Sequence, residues 1–595
     1  MCGIFGYAGT KKDAAEIVFS GIRSLEYRGY DSWGVGVVPA SKSKFLISPL
    51  AVKKQVGKIG QASIADLPQG SIAFGHTRWA THGGATVENA HPHLDCTKRF
   101  AVIHNGIIEN YEMVRDKILR KKHTFRSQTD TEVVVHLIEE LAQTQSLRQA
   151  TRQAFNLIEG LNAFIVLDSQ TKQLIAVRNG SPLVVGFGRG ENFLASDASA
   201  LLPYTKRVHF MEDNEMVIIT DSQTEFFETK SGKKLKPLIQ TLNWSFAQAD
   251  LGKFPHFMLK EIYEQPKILS NISQVSTVEI KKIAGLIETA FGTYLVGCGT
   301  AAYACLAGSY LFSKVSGFHL NWAIGSEFGY QLDFLTPKSL VLALSQSGET
   351  MDILESVKKA KAKGAKIVSL VNVFGSSLYR LSDYSLLMGA GSEKAVASTK
   401  DFTAKLAHLT LLAYALKGKI KDGQKVVAQA AKVAAGICQR PDLSRLKKLA
   451  KLLKHKDHMY IIGRGLSYPA ALETALKIKE ISYIHAEGLP AGELKHGPLA
   501  LVEKGTPCLA FLPGDETYGA NLAGSMEMKA RGGYLIGISY KPHEIFDYYI
   551  PVADCREATI IPNVVVAQLL AYYLAIERGL DPDKPRHLAK SVTVK

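Results

Sequence analysis

The chain has 595 residues, 46% of them hydrophobic and 21% charged, with a formal net charge of +16 at pH 7. This length exceeds what one hydrophobic core supports, so we expect two to four domains. No apolar stretch approaches the roughly twenty residues of a membrane span and no leader begins the chain, which predicts a cytoplasmic protein without a membrane partner. Lysine and arginine are scattered, which favours a basic surface suited to anionic metabolites over nucleic-acid binding.

Cysteine and histidine spacing speaks against a metal or disulfide framework. The seven cysteines lie far apart at positions 2, 96, 298, 305, 438, 508 and 555, with no CxxC pair. An odd number at such spacing indicates neither disulfides nor a zinc finger. His91 and His93 suggest a metal site, but no third ligand stands at helical or hairpin spacing. The sequence therefore predicts reduced thiols, no metal and no cofactor.

The first 220 or so residues alternate short β-rich runs with a few helical patterns. The predicted elements are strands at 71–77, 100–104, 163–168, 174–178 and 216–220 and a helix at 131–141. This order predicts an α+β domain with antiparallel sheets. From 222 to 252 the periodicity fades into Lys, Gln, Ser and Thr, which indicates a linker and a boundary near residue 240.

The remaining sequence alternates strands with amphipathic helices and repeats itself. YLVGCGTAAYA, from Tyr294, recurs as YIIGRGLSYPA from Tyr460. LALSQSGET, ending at Thr350, recurs as LAFLPGDET ending at Thr517. We therefore expect two consecutive doubly wound parallel α/β domains of the same topology.

The cysteine at position 2 has a chemical use if Met1 is removed. Cys2 then carries the chain's free α-amine, whose ordinary pKa of about 7.7–8.0 leaves part of it neutral at pH 7. That amine can take the thiol proton while the thiolate attacks a carbonyl, so nucleophile and base are one residue. Taken alone, Cys2-Gly3 favours an ordinary buried cysteine in an N-terminal strand.

Three polar segments strengthen the catalytic interpretation. In GHTRWATHG (75–83), Arg78 can fork onto a carboxylate. In HNGIIEN (104–110), the Asn105 amide and the Gly106 backbone N–H can point at one oxygen, as an oxyanion hole requires, although Asn-Gly also forms turns. In SQTDTE (127–132), Asp130 can cap a helix or hold an ammonium group.

With LEYRGYDSWG (25–34), these segments resemble the glutaminase domain of the N-terminal nucleophile amidotransferases, from Cys2 to about residue 220. The resemblance implies that Cys2 forms a glutamyl thioester while Asn105 and Gly106 bind the oxyanion. It also implies that Arg78 binds the α-carboxylate of glutamine and Asp130 its α-amine. The surrounding residues that it implies are Arg28, Thr81, His82 and His91.

The first repeat carries a predicted phosphate site. GCGTAA (297–302) fits a dinucleotide fingerprint, but GFHLNWAI (317–324) lacks the acidic residue that a nicotinamide site needs. SQSGET (345–350) runs from a strand into a helix, where hydroxyls and free N–H groups converge at the positive end of the helix dipole. Its counterpart PGDET (513–517) has no serines and adds Asp515, so we expect phosphate only in the first repeat.

Three later segments carry acid, base and amine groups. The helical pattern 471–487 places Glu473, Lys477 and Glu480 on one face. The alternative interpretation of this pattern is an exposed ladder of ion pairs. His496 precedes Gly-Pro in a loop, where an imidazole suits proton transfer to or from a sugar oxygen. The tail is apolar at Leu588, Ala589, Val592 and Val594. Docking of this tail would bring Lys590 into a site.

With VASTKDFTAKLA (396–407), these segments resemble the tandem sugar isomerase domains of the glutamine–fructose-6-phosphate aminotransferase family, and the match covers nearly the whole chain in order. The resemblance implies a ring opened by His496, a Schiff base on Lys590 and a proton moved between C1 and C2 by Glu480. Glu473 and Lys477 support Glu480. The implied phosphate-binding residues and their neighbours are Ser345, Gln346, Ser347, Thr350, Thr300, Val396 and Ala589.

The same resemblance implies an amidotransferase that makes glucosamine 6-phosphate and glutamate from fructose 6-phosphate and glutamine, the first step of the hexosamine pathway. It implies Trp79 as the gate of an ammonia channel and a homodimer in which His496 can act in trans. Ala301 stands where the family usually has serine. Two alternatives remain open: an amidotransferase acting on another ketose phosphate, and a sugar-phosphate-binding sensor.

The expected domain organisation follows from these segments. The predicted parts are a glutaminase domain at 2–238, a linker at 239–252, a first sugar isomerase domain at 253–435, a second at 436–580, and a C-terminal active-site tail at 581–595.

Overall fold

The computed structural model describes residues 2–40, 49–242, 251–439 and 443–591. The described residues up to 242 form one compact unit, and those from 251 to 590 form a second. The final positions of the predicted tail, including Val592 and Val594, lie outside the described residues.

The first unit consists of two antiparallel sheets with helices. Its elements are β1 (Gly3–Gly9), α1 (Ala14–Ser24), β2 (Ser32–Val38), β3 (Ala51–Val56), β4 (Ile72–Arg78), β5 (His93–Leu94), β6 (Phe100–Gly106), α2 (Tyr111–Leu119), α3 (Glu132–Leu141), α4 (Leu147–Leu157), β7 (Asn162–Asp168), β8 (Gln173–Asn179), β9 (Val184–Phe187), β10 (Glu191–Ala195), β11 (Arg207–Phe210), β12 (Glu215–Ile219), β13 (Thr224–Glu228), β14 (Lys234–Leu235) and β15 (Gln240–Thr241). The first sheet has the order β15-β11-β9-β10-β1-β4-β2-β3 and the second β14-β13-β12-β8-β7-β6-β5. The predicted α+β class is confirmed.

The two sheets of this unit bury apolar side chains on both of their faces. Ile103 and Ile165 of the second sheet pack with Phe74 of the first sheet in one core cluster. Val102 and Phe164, one residue along the same strands, pack with the helices α2 to α4 in another. Since successive strand residues point to opposite faces, burial on both faces explains the nearly continuous apolar runs in β6 and β7.

The second unit contains two parallel sheets surrounded by helices. Its elements are α5 (Phe257–Ile272), α6 (Thr277–Thr289), β16 (Thr293–Gly297), α7 (Thr300–Ser316), β17 (Asn321–Ile324), α8 (Gly325–Phe328), β18 (Leu340–Ser345), α9 (Met351–Ala362), β19 (Lys366–Val371), α10 (Ser377–Leu381), β20 (Tyr384–Leu387), α11 (Lys400–Leu416), α12 (Ile420–Gln439), α13 (Leu443–Leu453), β21 (His458–Gly463), α14 (Ser467–Ser482), β22 (His485–Pro490), β23 (Pro507–Leu512), α15 (Tyr518–Lys529), β24 (Tyr534–Ser539), β25 (Tyr548–Pro551) and α16 (Ile560–Glu577).

The two parallel sheets have the same topology. The third sheet of the chain has the order β17-β16-β18-β19-β20, and the fourth has the order β22-β21-β23-β24-β25. In each sheet, the first strand of the repeat, β16 or β21, lies second from one edge. The second strand of the repeat forms that edge, and the third pairs with the other side of the first strand. The predicted pair of doubly wound α/β domains is confirmed.

Two predicted segments differ from the structure. Residues 224–241, predicted as part of a linker, form β13, β14 and β15, because edge strands pair through backbone groups and need little hydrophobic periodicity. The helix predicted at 471–487 ends at Ser482, where Tyr483 takes a left-handed conformation with φ 59°. The chain then enters β22 instead of continuing the helix.

One helix is apolar and long enough to cross a membrane, although the sequence pattern predicted none. It covers Arg556–Glu577 and includes α16, and 94% of its most apolar window is buried inside the protein. Helix α16 packs against α14, α13, α12 and α5 within the large apolar cluster of the second unit. Its composition is therefore that of a central core helix buried on all sides.

Asp583 fastens the start of the predicted tail to the body of the second unit. Its two carboxylate oxygens accept hydrogen bonds from the backbone N–H groups of Phe257 and Met258, both at 2.7 Å. These are two of the orphan donors at the N-terminus of α5. The Asp583 carbonyl also accepts a bond from the Val396 N–H at 3.0 Å. The tail is thereby held beside the loop that follows β20.

We expect Asp583→Ala to destabilise the second unit by about 1–2 kcal/mol, because two charge-assisted bonds to a helix N-terminus are lost. Thermal unfolding of the full chain should show a Tm lower by about 2 °C or more. The control is Asp333→Ala, which removes only an exposed ion pair to Lys363 at 3.0 Å and should leave the Tm nearly unchanged. An equal Tm for both variants would contradict the anchoring role.

Candidate active sites

The thiol of Cys2 lies at the end of strand β4. The antiparallel pairing of β1 with β4 places Gly3 opposite Thr77, and the Gly3 N–H donates to Thr77 Oγ1 at 3.1 Å. Cys2 Sγ accepts a hydrogen bond from the backbone N–H of Trp79 at 3.3 Å. Burial raises the pKa of the Cys2 thiol, although the nearby Arg78 guanidinium opposes that rise. The thiol is therefore protonated at neutral pH and needs a base to become a nucleophile.

The amide of Asn105 is oriented towards Cys2 by a buried histidine. Asn105 Nδ2 donates to the Cys2 carbonyl at 3.0 Å, and Asn105 Oδ1 lies 3.0 Å from His76 Nε2. The same His76 nitrogen lies 2.9 Å from the His104 carbonyl, so it must carry the hydrogen. Burial lowers the pKa of His76 to about 3, so the ring is neutral. Sequence analysis missed this role of His76, for which GHTRWATHG was the only signal.

Arg78 and Asp130 are buried charged groups with backbone partners. Arg78 donates to the carbonyls of His82, Gly83 and Gly84 at 2.6, 2.9 and 3.0 Å and so shapes the loop that follows β4. Asp130 Oδ2 accepts from the Ile108 N–H at 2.8 Å, two residues beyond Gly106. Asp130 thus does not cap α3, whose N-cap is Thr131.

The other predicted glutamine-site residues have different surroundings. His91 stacks on His76 with ring centroids 4.2 Å apart, and the His82 ring meets Tyr111 edge-on at 4.4 Å. Arg28 is buried and pairs with Asp197 at 3.2 Å. Thr81 is exposed, and Gly106 ends β6 with φ 137°.

A cavity of about 170 Å³ opens in the second unit, close to the C-terminal ends of β16 and β18. Nine predicted residues line it: Thr300, Ser345, Gln346, Ser347, Thr350, Val396, Glu480, Ala589 and Lys590. The lining residues outside the predicted set are Cys298, Ala301, Ile353, Ser398, Asp401, Lys405 and Leu588.

The hydroxyl loop after β18 forms one wall of this cavity. Ser345 Oγ accepts from the Gly348 N–H at 3.0 Å and lies 3.5 Å from Thr350 Oγ1. Gly348 has φ 66°, and a Cβ there would lie 2.0 Å from Ser376 Oγ, so only glycine fits. In the second repeat, Asp515 instead accepts from the Thr517 N–H at 2.9 Å and fills the equivalent loop with a carboxylate.

Helix α14 presents a buried triad of charges below the cavity. Lys477 Nζ lies 2.5 Å from Glu480, 3.5 Å from Glu473 and 3.2 Å from Thr300 Oγ1. Lys477 and Glu473 are fully buried, so the alternative of an exposed ladder is wrong. Burial raises the pKa of Glu473 to about 8, with Glu480 adding to the rise and Lys477 opposing it. Of the three, only Glu480 lines the cavity.

The tail lysine forms a buried ion pair. Lys590 Nζ lies 2.5 Å from Glu393 Oε2, with side-chain exposures of 4% and 0%. Glu393 also accepts from the Thr399 N–H at 2.9 Å. Burial alone would raise the pKa of Glu393, but Lys590 outweighs it and lowers that pKa to about 2. Sequence analysis missed Glu393, because a single acid in an irregular loop has no periodic signal.

His496 lies apart from the other predicted catalytic groups. It ends a short 3-10 turn, Glu493–His496, and its side chain is exposed. It is not among the residues that line the cavity.

Comparisons with known proteins show which families the two units match. The family described as SIS domain matches residues 290–415 and 452–578, and the glutamine amidotransferase domain family matches residues 76–203. Proteins named glutamine–fructose-6-phosphate aminotransferase [isomerizing] from Pyrococcus horikoshii and Thermococcus kodakarensis are 41% and 42% identical, each over 100% of both chains.

A solved structure gives the same assignment for the second unit. The C-terminal domain of glucosamine-fructose-6-phosphate aminotransferase from Francisella tularensis is 34% identical, covers 56% of this chain and 100% of its own, and superposes with a TM-score of 0.53. The full-length identity to the archaeal relatives is far above the level that fold likeness alone produces. The chain belongs to the family of the isomerizing glutamine–fructose-6-phosphate aminotransferases.

Proposed function

We propose that this chain transfers the amide nitrogen of glutamine to fructose 6-phosphate and isomerises the product, releasing glutamate and glucosamine 6-phosphate. The observation that carries the proposal is the match to isomerizing aminotransferases over the whole chain, at about 40% identity. A glutaminase half alone, or a sugar isomerase half alone, would match only part of such relatives. This reaction supplies the amino sugar from which the hexosamine pathway starts.

The glutaminase step uses Cys2 as nucleophile and its own α-amine as base once Met1 is removed. Burial raises the pKa of the thiol, so a base adjacent to sulfur is a chemical requirement. The thiolate attacks the side-chain carbonyl of glutamine, and Asn105 Nδ2 and the Gly106 N–H stabilise the oxyanion. Ammonia leaves, and water releases glutamate from the thioester. Arg78 and Asp130 bind the α-carboxylate and α-amine, with Arg28, Thr81, His82 and His91 around them.

The sugar step uses the cavity of the second unit. The hydroxyls of Ser345, Ser347 and Thr350 bind the phosphate, since hydroxyls and N–H groups at the start of α9 favour an anion. The Lys590 amine condenses with the ketone of the open-chain sugar, and water leaves as the Schiff base forms. Ammonia from the glutaminase step then displaces the Lys590 amine from the imine, which frees the lysine and leaves the nitrogen on C2. Glu480, positioned by Lys477 at 2.5 Å, moves a proton from C1 to C2.

Ring opening by His496 is proposed to occur between two copies of the chain. His496 is exposed and lies outside the cavity lining of its own chain, which supports a role in the cavity of a partner. The protein is accordingly proposed to act as a homodimer in the cytoplasm. The predicted domain boundaries at 238, 252, 435 and 580 stand as part of the same proposal.

Incubation of the purified chain with glutamine and fructose 6-phosphate tests the overall function. Mass spectrometry and chromatography should identify glucosamine 6-phosphate formed together with glutamate. An amino sugar formed only from another ketose phosphate would favour a related amidotransferase. Tight binding of the sugar phosphate without any product would favour a sensor.

Our first functional prediction concerns the N-terminus. A permanent N-terminal extension should abolish glutamine hydrolysis, because the amine of Cys2 becomes an amide that takes no proton. Conversion of fructose 6-phosphate to glucose 6-phosphate should persist. The matched control carries the same extension behind a protease site, and cleavage that leaves Cys2 first should restore hydrolysis. Full hydrolysis by the uncleaved protein would refute the mechanism.

A second prediction concerns Trp79, whose backbone binds the Cys2 sulfur. We propose that its indole closes the path by which ammonia leaves the thiol. Trp79→Ala keeps the backbone contact, so glutamine cleavage should continue while ammonia escapes to solvent. Glutamate should then exceed glucosamine 6-phosphate, whereas the control Trp322→Ala, in β17, should keep the two products equal. Equal yields from Trp79→Ala would remove the gating role.

A third prediction concerns the Schiff base. Borohydride reduction in the presence of fructose 6-phosphate should add one sugar phosphate to the peptide that bears Lys590. Lys590→Ala should stop amino-sugar synthesis, while Cys2 still cleaves glutamine at a basal rate. The control Lys584→Ala changes another lysine of the tail, and borohydride should still trap the sugar phosphate on Lys590 in this variant. Label on a different lysine would show that the tail only packs.

A further inference from the structure

Four potential metal ligands meet in the first unit, among residues that the glutaminase chemistry does not use. They are Cys96, His123, His136 and Glu139, and their ligand atoms all lie within 4.8 Å of one another. Cys96 follows β5, His123 precedes the segment that leads to Asp130, and His136 and Glu139 lie one turn apart on α3. Only His136 and Glu139, three residues apart, have a spacing that a helical sequence pattern could reveal.

The distances match those of a tetrahedral zinc site. Cys96 Sγ lies 3.7 Å from the Nδ1 atoms of both His123 and His136. Zinc bonds of about 2.3 Å to sulfur and 2.0–2.1 Å to nitrogen at a tetrahedral angle require about 3.6 Å between these atoms. Glu139 Oε2 lies 2.9 Å and 3.0 Å from the same two nitrogens, a few tenths of an ångström closer than a shared metal requires.

The outer nitrogens of both histidines face carboxylates. His123 Nε2 lies 3.3 Å from Glu140 Oε2, and His136 Nε2 lies 3.7 Å from Glu132 Oε1. The Glu140 carboxylate can hold the Nε2 hydrogen of His123, as in carboxylate–histidine–zinc arrangements. His136 Nε2 is buried and makes no hydrogen bond among the described residues, so Glu132 acts on it only through its charge. His136 is buried, and the His123 side chain is only 6% exposed, so both rings are held by packing.

Hydrogen bonds around a protonated His136, without a metal, explain only part of this cluster. The carboxylates of Glu132 and Glu139 overcome burial and raise the pKa of His136 to about 9, so a protonated His136 can bridge them. That account gives no role to the Cys96 sulfur, which lies equally far from both Nδ1 atoms. A dication held by one thiolate and one carboxylate uses all four groups, and the ion with its four ligands carries no net charge.

We propose that Cys96, His123, His136 and Glu139 bind one Zn²⁺ ion with a structural role. The mixture of sulfur, imidazole and carboxylate donors favours zinc over calcium or magnesium, which take oxygen ligands. Binding displaces the thiol proton of Cys96 and the hydrogen shared between His136 and Glu139. With four protein ligands the site is closed, as structural zinc sites are.

The ion would fix the segment that carries a predicted glutamine-binding residue. It joins the loop after β5, the chain at residue 123 and helix α3. Glu132, beside the cluster, accepts from the backbone N–H groups of Arg126 and Ser127 at 2.8 and 2.7 Å. The segment from 126 to 131, which includes Asp130, is therefore held at both ends by groups that the metal orders.

The test measures zinc on the full chain in a Cys2→Ala background, which removes the other cysteine of the first unit. After incubation with zinc and gel filtration, elemental analysis should find one zinc per chain. Cys96→Ser and His123→Asn should lose that zinc, whereas the controls Cys508→Ala and His319→Asn should retain it. Cys96 is exposed, so its variant is expected to fold, which circular dichroism checks.

Two further measurements identify the ligands. Cobalt in place of zinc should give a thiolate-to-metal absorption band that Cys96→Ser lacks. Added zinc should raise the Tm of the background protein and leave that of Cys96→Ser unchanged, since only a ligand of the folded state stabilises it. Absence of zinc from the background protein, or an undiminished zinc content in folded Cys96→Ser, would overturn the proposal.

Discussion

The buried ion pair between Lys590 and Glu393 is the constraint on which the cavity of the second unit depends. Two charges at 4% and 0% exposure are tolerated only because they lie 2.5 Å apart and because Glu393 has further backbone donors. Removal of one partner from such a pair costs about 3–5 kcal/mol. The pair therefore fixes both the tail and the loop from 393 to 401, and these two segments supply six of the sixteen residues that line the cavity.

Two neighbouring carboxylates in this region, Glu261 and Glu393, have pKa values shifted in opposite directions. Glu261 accepts from the Lys394 N–H at 2.5 Å, and burial, with the negative charge of Glu393, raises the pKa of Glu261 to about 8. Glu261 is thus largely protonated at neutral pH, whereas Glu393 stays ionised beside Lys590. Glu393 is therefore the ionised partner of Lys590, while Glu261 keeps its proton.

The two repeats share a topology but contribute different chemistry. The first supplies the hydroxyl loop at 345–350, whereas the equivalent loop of the second is filled by Asp515. Helix α14 of the second repeat supplies Glu480 instead, and Thr300 of the first repeat bonds to Lys477 on that helix at 3.2 Å. The two copies of one fold therefore line a single cavity, with the hydroxyl loop from the first repeat and the Glu480 carboxylate from the second.

Sequence patterns predicted the parts of this protein that are set by local periodicity. The strands at 100–104 and 163–168, the repeat at Tyr460 and the face that carries Glu473, Lys477 and Glu480 all followed from spacing. Edge strands such as β15 were missed because backbone pairing sets them. The roles of His76 and Glu393 and the Cys96 cluster were missed because the contacts that define them, such as His76 with Asn105, Glu393 with Lys590 and Cys96 with His136, join residues far apart in sequence.

The alanine at position 301 bears on which sugar phosphate the cavity accepts. Ala301 lines the cavity and presents a methyl group, so one hydrogen bond to the ligand is lost relative to a serine. A hydrogen bond of this kind contributes about 0.5–1.5 kcal/mol, which is roughly tenfold in affinity or less. The hydroxyls of Ser345, Ser347 and Thr350 remain in place. If these hydroxyls carry the phosphate, as proposed, the alanine weakens binding of the sugar but leaves the phosphate site intact.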